Sequence, residues 1–205
     1  MRVFCSLVLL LSACTRLIGN DDIATACTAI AQADCNLRSS CTSGGNISQD
    51  FGDLDTCITR ETMSCTLAAN APDTGETPSA IRACVAAFAT YSCVDFFDND
   101  PPQPCSFLGQ RQNGGACAFG GQCKSGYCTG GRSSLCGTCA DGPTDGASCT
   151  DDGCGRGQVC EDRTFICVTP SIVGNACDNN TQPCQFGLAC EYIAANTPGI
   201  CITET

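Results

Sequence analysis

Cysteine is the residue with the most chemistry to offer in this chain, which holds 23 of them among 205 residues and no histidine. Without histidine, Ser-His-Asp and Cys-His catalysis are excluded, and so is every His-based metal site. Cys136-Gly137-Thr138-Cys139 has the C-x-x-C form used by thiol-disulfide oxidoreductases. That use needs a helix N-terminus after a strand to lower the thiol pKa. The flanks Gly131-Arg132-Ser133-Ser134 and Ala140-Asp141-Gly142-Pro143 read as loop, so both cysteines are expected in structural disulfides. Four thiolates could also hold zinc, but an oxidising compartment favours disulfides over thiolates. Asp95, Asp98 and Asp100 cluster, yet the alternating ligands, glycine and distal glutamate of an EF-type calcium loop are not in register. Asp98-Asn99-Asp100-Pro101-Pro102 reads as a solvated linker. No spacing of Asp and Glu points to a hydrolytic carboxylate pair. No catalytic residue, cofactor or metal is expected.

Cysteine above about 8–10% of a short chain signals a disulfide scaffold, and such a scaffold persists in an oxidising compartment. With no Trp, nine Phe and 22 Gly, the apolar core is thin, and covalent staples compensate. The formal charge of −11 argues against nucleic acid, whose phosphates need a basic surface. It also argues against adsorption to anionic lipid through a polybasic patch.

Attachment to a membrane by another route is suggested at the N-terminus. Met1-Arg2 is a minimal positive region, followed by an apolar run from Val3 to Leu11. The run falls short of the ~20 residues that span a bilayer and reads as a signal peptide over residues 1–13. It ends Leu11-Ser12-Ala13-Cys14, which resembles the bacterial lipobox. The resemblance implies cleavage before Cys14, a thioether lipid on its thiol and acylation of the new amino terminus. Thr15 in place of Asp implies sorting to the outer membrane. Stable anchoring takes more than one acyl chain, and a multiply acylated Cys14 meets that need. The competing expectation is an ordinary secretory signal, with the protein released.

Residues 20–105 read as a disulfide-stapled helical domain. Asp21 and Asp22 offer an N-cap, and Ile23, Cys27, Ile30, Ala31 and Cys35 share one helical face. A second helix is expected from near Asp53 to Ala69, with Leu54, Cys57, Ile58, Cys65 and Ala68 inward. Thr77-Pro78 caps a third, carrying Ile81, Cys84, Val85 and Phe88. Cys27 and Cys35 lie eight residues apart, as do Cys57 and Cys65, about two turns along a stripe. Neither pair can close within a straight helix, so neighbouring helices are stapled. Cys41, Cys93 and Cys105 complete the set. A three-helix bundle is the economical reading, with Ser43–Gly45 and the segment from Asn70 to Thr77 as loops.

Residues 106–205 read as three cysteine-rich repeats, at about 114–140, 146–168 and 174–201. Gly114-Gly115-Ala116-Cys117, Gly146-Ala147-Ser148-Cys149 and Gly174-Asn175-Ala176-Cys177 open the copies. A C-x-x-G turn follows in each, beginning at Cys123, Cys154 and Cys184. Then come Cys128, Cys160 and Cys190, and the copies close at Cys136 with Cys139, at Cys167 and at Cys201. Glycines permit positive φ where the chain reverses, giving irregular or β-hairpin units. First-to-third and second-to-fourth pairing is the expectation, although four cysteines allow three connectivities. The spacing from Cys117 to Cys139 resembles the start of the Dickkopf N-terminal cysteine-rich domain, well over about 25 residues and loosely over some 85. The adjacent cysteine pair of that domain is missing and the charge is opposite, so its receptor binding does not carry over. With the lipobox in front, the chain resembles cysteine-rich lipoproteins of social soil bacteria such as myxobacteria.

The fold class expected is therefore small and disulfide-rich. The function expected is an exported surface lipoprotein with a structural or interaction role, anchored through Cys14 and facing an extracellular protein or glycan. A secreted inhibitor or effector is the alternative. The cysteines other than Cys5 and Cys14 are odd in number. An even set in the helical part, counting Cys105, leaves the extra one in the first repeat, near Cys136 and Cys139. Otherwise Cys14 is itself bonded and carries no lipid.

Overall fold

In the computed structural model the backbone is described for residues 3–97, 101–130, 136–150, 153–161, 164–178, 181–192 and 197–203, and side chains from Asp22 onward. Ten disulfides staple the chain, four within a helical half and six within a half built of small antiparallel sheets.

The first helix, α1, is Val3–Cys41. Asp21-Asp22 therefore lies inside a helix rather than capping one. No Gly or Pro occurs from Val3 to Leu17, and the lone Gly19 costs only about 1 kcal/mol relative to Ala. The Ser43–Gly45 stretch expected as loop is turn through Gly44 and leads directly into a short helix, α2 (Gly45–Asp50), entered through Gly44 at a φ of 81°. Its Ile47 is buried among Cys35 and Cys57, which is what holds six polar-rich residues in place.

Helix α3 is Leu54–Ala69, and the Asp53 carboxylate accepts a hydrogen bond from the Thr56 N–H at 2.7 Å. That bond holds the Asp53 pKa below its ordinary value, as expected for an N-cap. Helix α4 is Pro78–Ala87, capped by Thr77, with Pro78 in its first turn. A 3₁₀ turn at Phe88–Thr90 then leads to α5, Cys93–Phe97.

Helix α1 is the common neighbour of α3 and α4. Cys27–Cys65 and Cys35–Cys57 join it to α3 in reversed order, so the two helices run antiparallel. Cys41–Cys93 ties the end of α1 to α5, and Cys84–Cys105 ties α4 to a 3₁₀ turn at Gln103–Cys105. Ala26, Cys27, Ala69 and Ile81 form the main cluster, with Ile23, Ile30, Cys65 and Phe107 against it. Ile81 is the largest fully buried side chain, so aliphatic burial here is modest and cross-linking supplements it.

Each repeat contains an antiparallel sheet, two-stranded in the first two copies and three-stranded in the third. Strand β1 (Ala116–Cys117) pairs β2 (Gly137–Thr138), and β3 (Val159–Cys160) pairs β4 (Cys167–Val168). In the third, β7 (Gly199–Thr203) lies between β5 (Ala176–Cys177) and β6 (Leu188–Glu191). The same hydrogen bond opens all three copies: the Gly114, Gly146 and Gly174 N–H groups donate to the Cys139, Cys167 and Cys201 carbonyls at 2.7, 2.8 and 2.8 Å. The C-x-x-G glycines Gly126, Gly157 and Gly187 share a φ of 76–77°, a region costly for residues with a Cβ.

The disulfides repeat as well: Cys117–Cys128 and Cys123–Cys139, Cys149–Cys160 and Cys154–Cys167, Cys177–Cys190 and Cys184–Cys201. The buried cluster of the first copy consists of its four bonded cysteines alone. Cys136, grouped above with the structural disulfides, is exposed and lies outside the ten bonds. Alternation along the β2 segment explains the choice. Cys139 faces inward, at 1% exposure, and a residue three positions earlier faces the other way.

Candidate functional site

The helical half and the repeats meet along a seam made of main chain. Across it, the Gly75 N–H donates to the Gly121 carbonyl at 2.7 Å, and the Gln110 N–H to the Asp73 carbonyl at 3.0 Å. Gln122 is buried at 2% exposure. Its side-chain oxygen accepts from the Ala118 and Phe119 N–H groups, and its nitrogen donates to the Pro72 carbonyl at 2.9 Å. Arg111 reaches Asp73 at 3.1 Å.

The third repeat is fastened further back. The buried Asp95 carboxylate accepts from the Gly187 N–H at 2.9 Å and from the Ser92 hydroxyl at 2.8 Å. The Tyr91 and Phe186 rings meet at 5.8 Å. Asp95, placed by sequence with a solvated acidic cluster, is thus a structural latch. Its hydrogen bonds offset the cost of burying a charge. Asp98 and Asp100 lie outside the described residues.

One cleft of about 800 Å³ opens along this seam. Helix α1 contributes Ile30, Ala31, Asp34 and Arg38, and α3 contributes Glu61, Ser64 and Ala68. The repeats supply Phe119 and Tyr127, with Gly153 and Cys154 from the second copy. Phe88, Tyr91, Phe96 and Phe107 also line it, so four of the nine Phe and two of the three Tyr gather in one place. This volume and aromatic content suit a ligand site.

Among the described residues three carboxylates line the cleft with one cation. Arg38 and Asp34 form an ion pair at 2.6 Å one turn apart on α1. Burial disfavours the Arg38 charge, but the Asp34 carboxylate outweighs it and the pKa ends above its ordinary value. Glu61 is pushed upward, first by burial and then by the Asp34 charge, with Arg38 opposing. Glu76 lies against Gly121, where burial raises its pKa to about 7. Arg156 lines a smaller hollow of about 250 Å³ on the other side of Glu76, but no ion pair joins the two among the described residues.

The other candidate chemistry is placed differently. Cys139 is bonded to Cys123, so the two cysteines of the C-x-x-C do not bond each other. The segment 131–135 before them lies outside the described residues. Three sulfur triplets come within 4.8 Å, at Cys117, Cys123 and Cys139, at Cys149, Cys154 and Cys160, and at Cys177, Cys184 and Cys190. All nine sulfurs belong to disulfides, and thiolate, not disulfide, is the metal ligand. The Cys5 and Cys14 side chains lie outside the described residues. Among the described residues no helix is long and apolar enough to cross a membrane.

The cleft had no local sequence signal, because its walls come from residues 30 to 154. No protein-family model, no curated protein and no solved structure matches the chain.

Proposed function

We propose that this chain is an exported, lipid-anchored surface protein whose role is to bind a partner rather than to catalyse a reaction. The observation that carries the reading is the pairing of ten disulfides with a large aromatic cleft at the seam between the halves they staple. Disulfides at this density favour an oxidising compartment. A cross-linked frame presents loops and a cleft without ordering cost on binding. On this reading α1, α3 and α4 form a three-helix bundle, supported by the packing of α1 on both partners. The repeats form a Dickkopf-like array, supported by the pairing and hydrogen bond common to the three copies.

The anchor is Cys14, within the lipobox-like Leu11-Ser12-Ala13-Cys14. Cleavage before it leaves α1 to begin at the lipidated residue, with the cleft held outside the bilayer. Metabolic labelling with a palmitate analogue tests it. Label is expected on the wild type and absent from Cys14→Ser. An unlabelled wild type overturns the anchor and leaves a secreted protein.

A further inference from the structure

The charges lining the cleft are not balanced. Asp34 and Arg38 satisfy each other at 2.6 Å. Glu61 feels the Arg38 charge without a direct ion pair, and Glu76 makes no side-chain hydrogen bond or ion pair among the described residues. Among the described residues no other Lys or Arg lines the cleft. Two carboxylates thus stand in partly desolvated surroundings in a cleft that Phe88, Phe96 and Phe119 also line. Desolvated carboxylates without partners are costly, and aromatic faces attract cations. A long basic side chain meets both demands, laying an apolar stem along the rings and delivering its charge to the carboxylates. The surrounding surface has the same bias, at a net charge of −11, which steers basic partners inward.

We propose that the seam cleft receives a Lys or Arg side chain from a basic segment of a protein partner, with Glu61 and Glu76 as its counter-ions and the Phe88, Phe96 and Phe119 rings as its walls. This rests on the reading of the chain as a binding protein and adds the chemistry of the bound group. It also accounts for the position of Glu76, which sits between the cleft and the smaller hollow and whose charge burial disfavours until a cation is present.

The test uses the full mature chain, made in an oxidising compartment, and fluorescein-labelled Gly-Gly-Lys-Gly-Gly, read by anisotropy. The control peptide replaces Lys with norleucine, which keeps the stem and removes the charge. The Lys peptide is expected to bind about tenfold more tightly than the control, with the difference shrinking in high salt. Glu61→Gln with Glu76→Gln should abolish the difference, and Phe119→Leu should lower it severalfold. Asp55→Asn with Glu191→Gln removes the same charge from outside the cleft and should leave it intact.

Equal binding of the two peptides, or an equal loss in the Asp55/Glu191 variant, overturns the proposal. Competition by spermidine with no binding of any Lys peptide overturns the assignment to a polypeptide. Lipid labelling at Cys14 does not involve the cleft. A labelled protein without charge discrimination therefore refutes the cation site alone, and discrimination in an unlabelled protein refutes the anchor alone.

Discussion

Replacing Glu76 with Gln is expected to flatten the pH dependence of stability between about pH 4.5 and 7. Burial raises the Glu76 pKa from 4.5 to about 7 in the folded protein. Between those values the folded state holds a proton that the unfolded state has released, so stability falls as pH rises. The contribution is complete below pH 4.5 and is lost on passing through pH 7. A shift of this size corresponds to about 3 kcal/mol, and partial contact with solvent reduces it to about 2 kcal/mol. Gln mimics the protonated acid at every pH. The variant should therefore match the wild type near pH 4.5 and exceed it by about 2 kcal/mol at pH 8. Guanidinium unfolding with the disulfides intact, fitted at each pH, measures this. Taking the difference between the two proteins cancels the titration of all other carboxylates. A difference that stays constant from pH 4.5 to 8 would refute the assignment of Glu76 as a buried, unneutralised acid.

Three further outcomes follow from the same geometry. Asp95→Ala removes the acceptor for the Gly187 N–H and the Ser92 hydroxyl. It should cost about 2 kcal/mol, with hydrogen-exchange protection at Gly187 falling before that at the Gly114 amide. Removing Cys41–Cys93, which spans 52 residues, should destabilise by about 4 kcal/mol in the chain-entropy account, against about 3 kcal/mol for the 11-residue Cys117–Cys128. Paired Cys→Ser variants compared by denaturant midpoint check the order, and a larger loss from the shorter loop would contradict it. Gly126→Ala places a Cβ at a φ of 77° and 3.1 Å from Leu108 Cδ2, whereas Gly187→Ala at 76° meets nothing within 4 Å. Both should destabilise by about 1–2 kcal/mol, the former more, and equal thermal midpoints would show that the Leu108 contact yields freely.

What could be read from the sequence is what local rules govern. Asp53 and Thr77 start helices because a side-chain oxygen must meet the first N–H groups, and each is followed by helical periodicity. The repeats are visible because the positive-φ positions common to the copies, Gly114, Gly146 and Gly174 and then Gly126, Gly157 and Gly187, admit little but glycine. The short helix α2 was not visible, since six residues with one apolar side chain, Ile47, carry no period. Cys136 and Cys139 could not be separated by spacing alone. The inward facing of Cys139 is fixed by its ladder with Gly115, a non-local partner. Asp95 misled for the same reason: a carboxylate near Asp98 and Asp100 looks solvated until Gly187, 92 residues away, supplies a donor.

The seam itself explains why the cleft lies where it does. A repeat whose buried cluster is four bonded cysteines has almost no apolar surface left with which to dock onto another body. Its attachment to the helices therefore draws mainly on main-chain hydrogen bonds and on single polar groups such as Gln122 and Asp95, with the Tyr91–Phe186 ring contact and Phe107 against the helical cluster as apolar additions. Those contacts are directional and discrete, so they hold two surfaces at fixed points without filling the space between them. The aromatic side chains that would close an ordinary interface instead line the gap. Disulfides make this arrangement sustainable: helices cross-linked by Cys27–Cys65 and Cys35–Cys57 need not collapse inward to stay folded. The stabilisation that most small domains draw from a filled core is supplied here by covalent bonds, and the space that remains is available for a ligand.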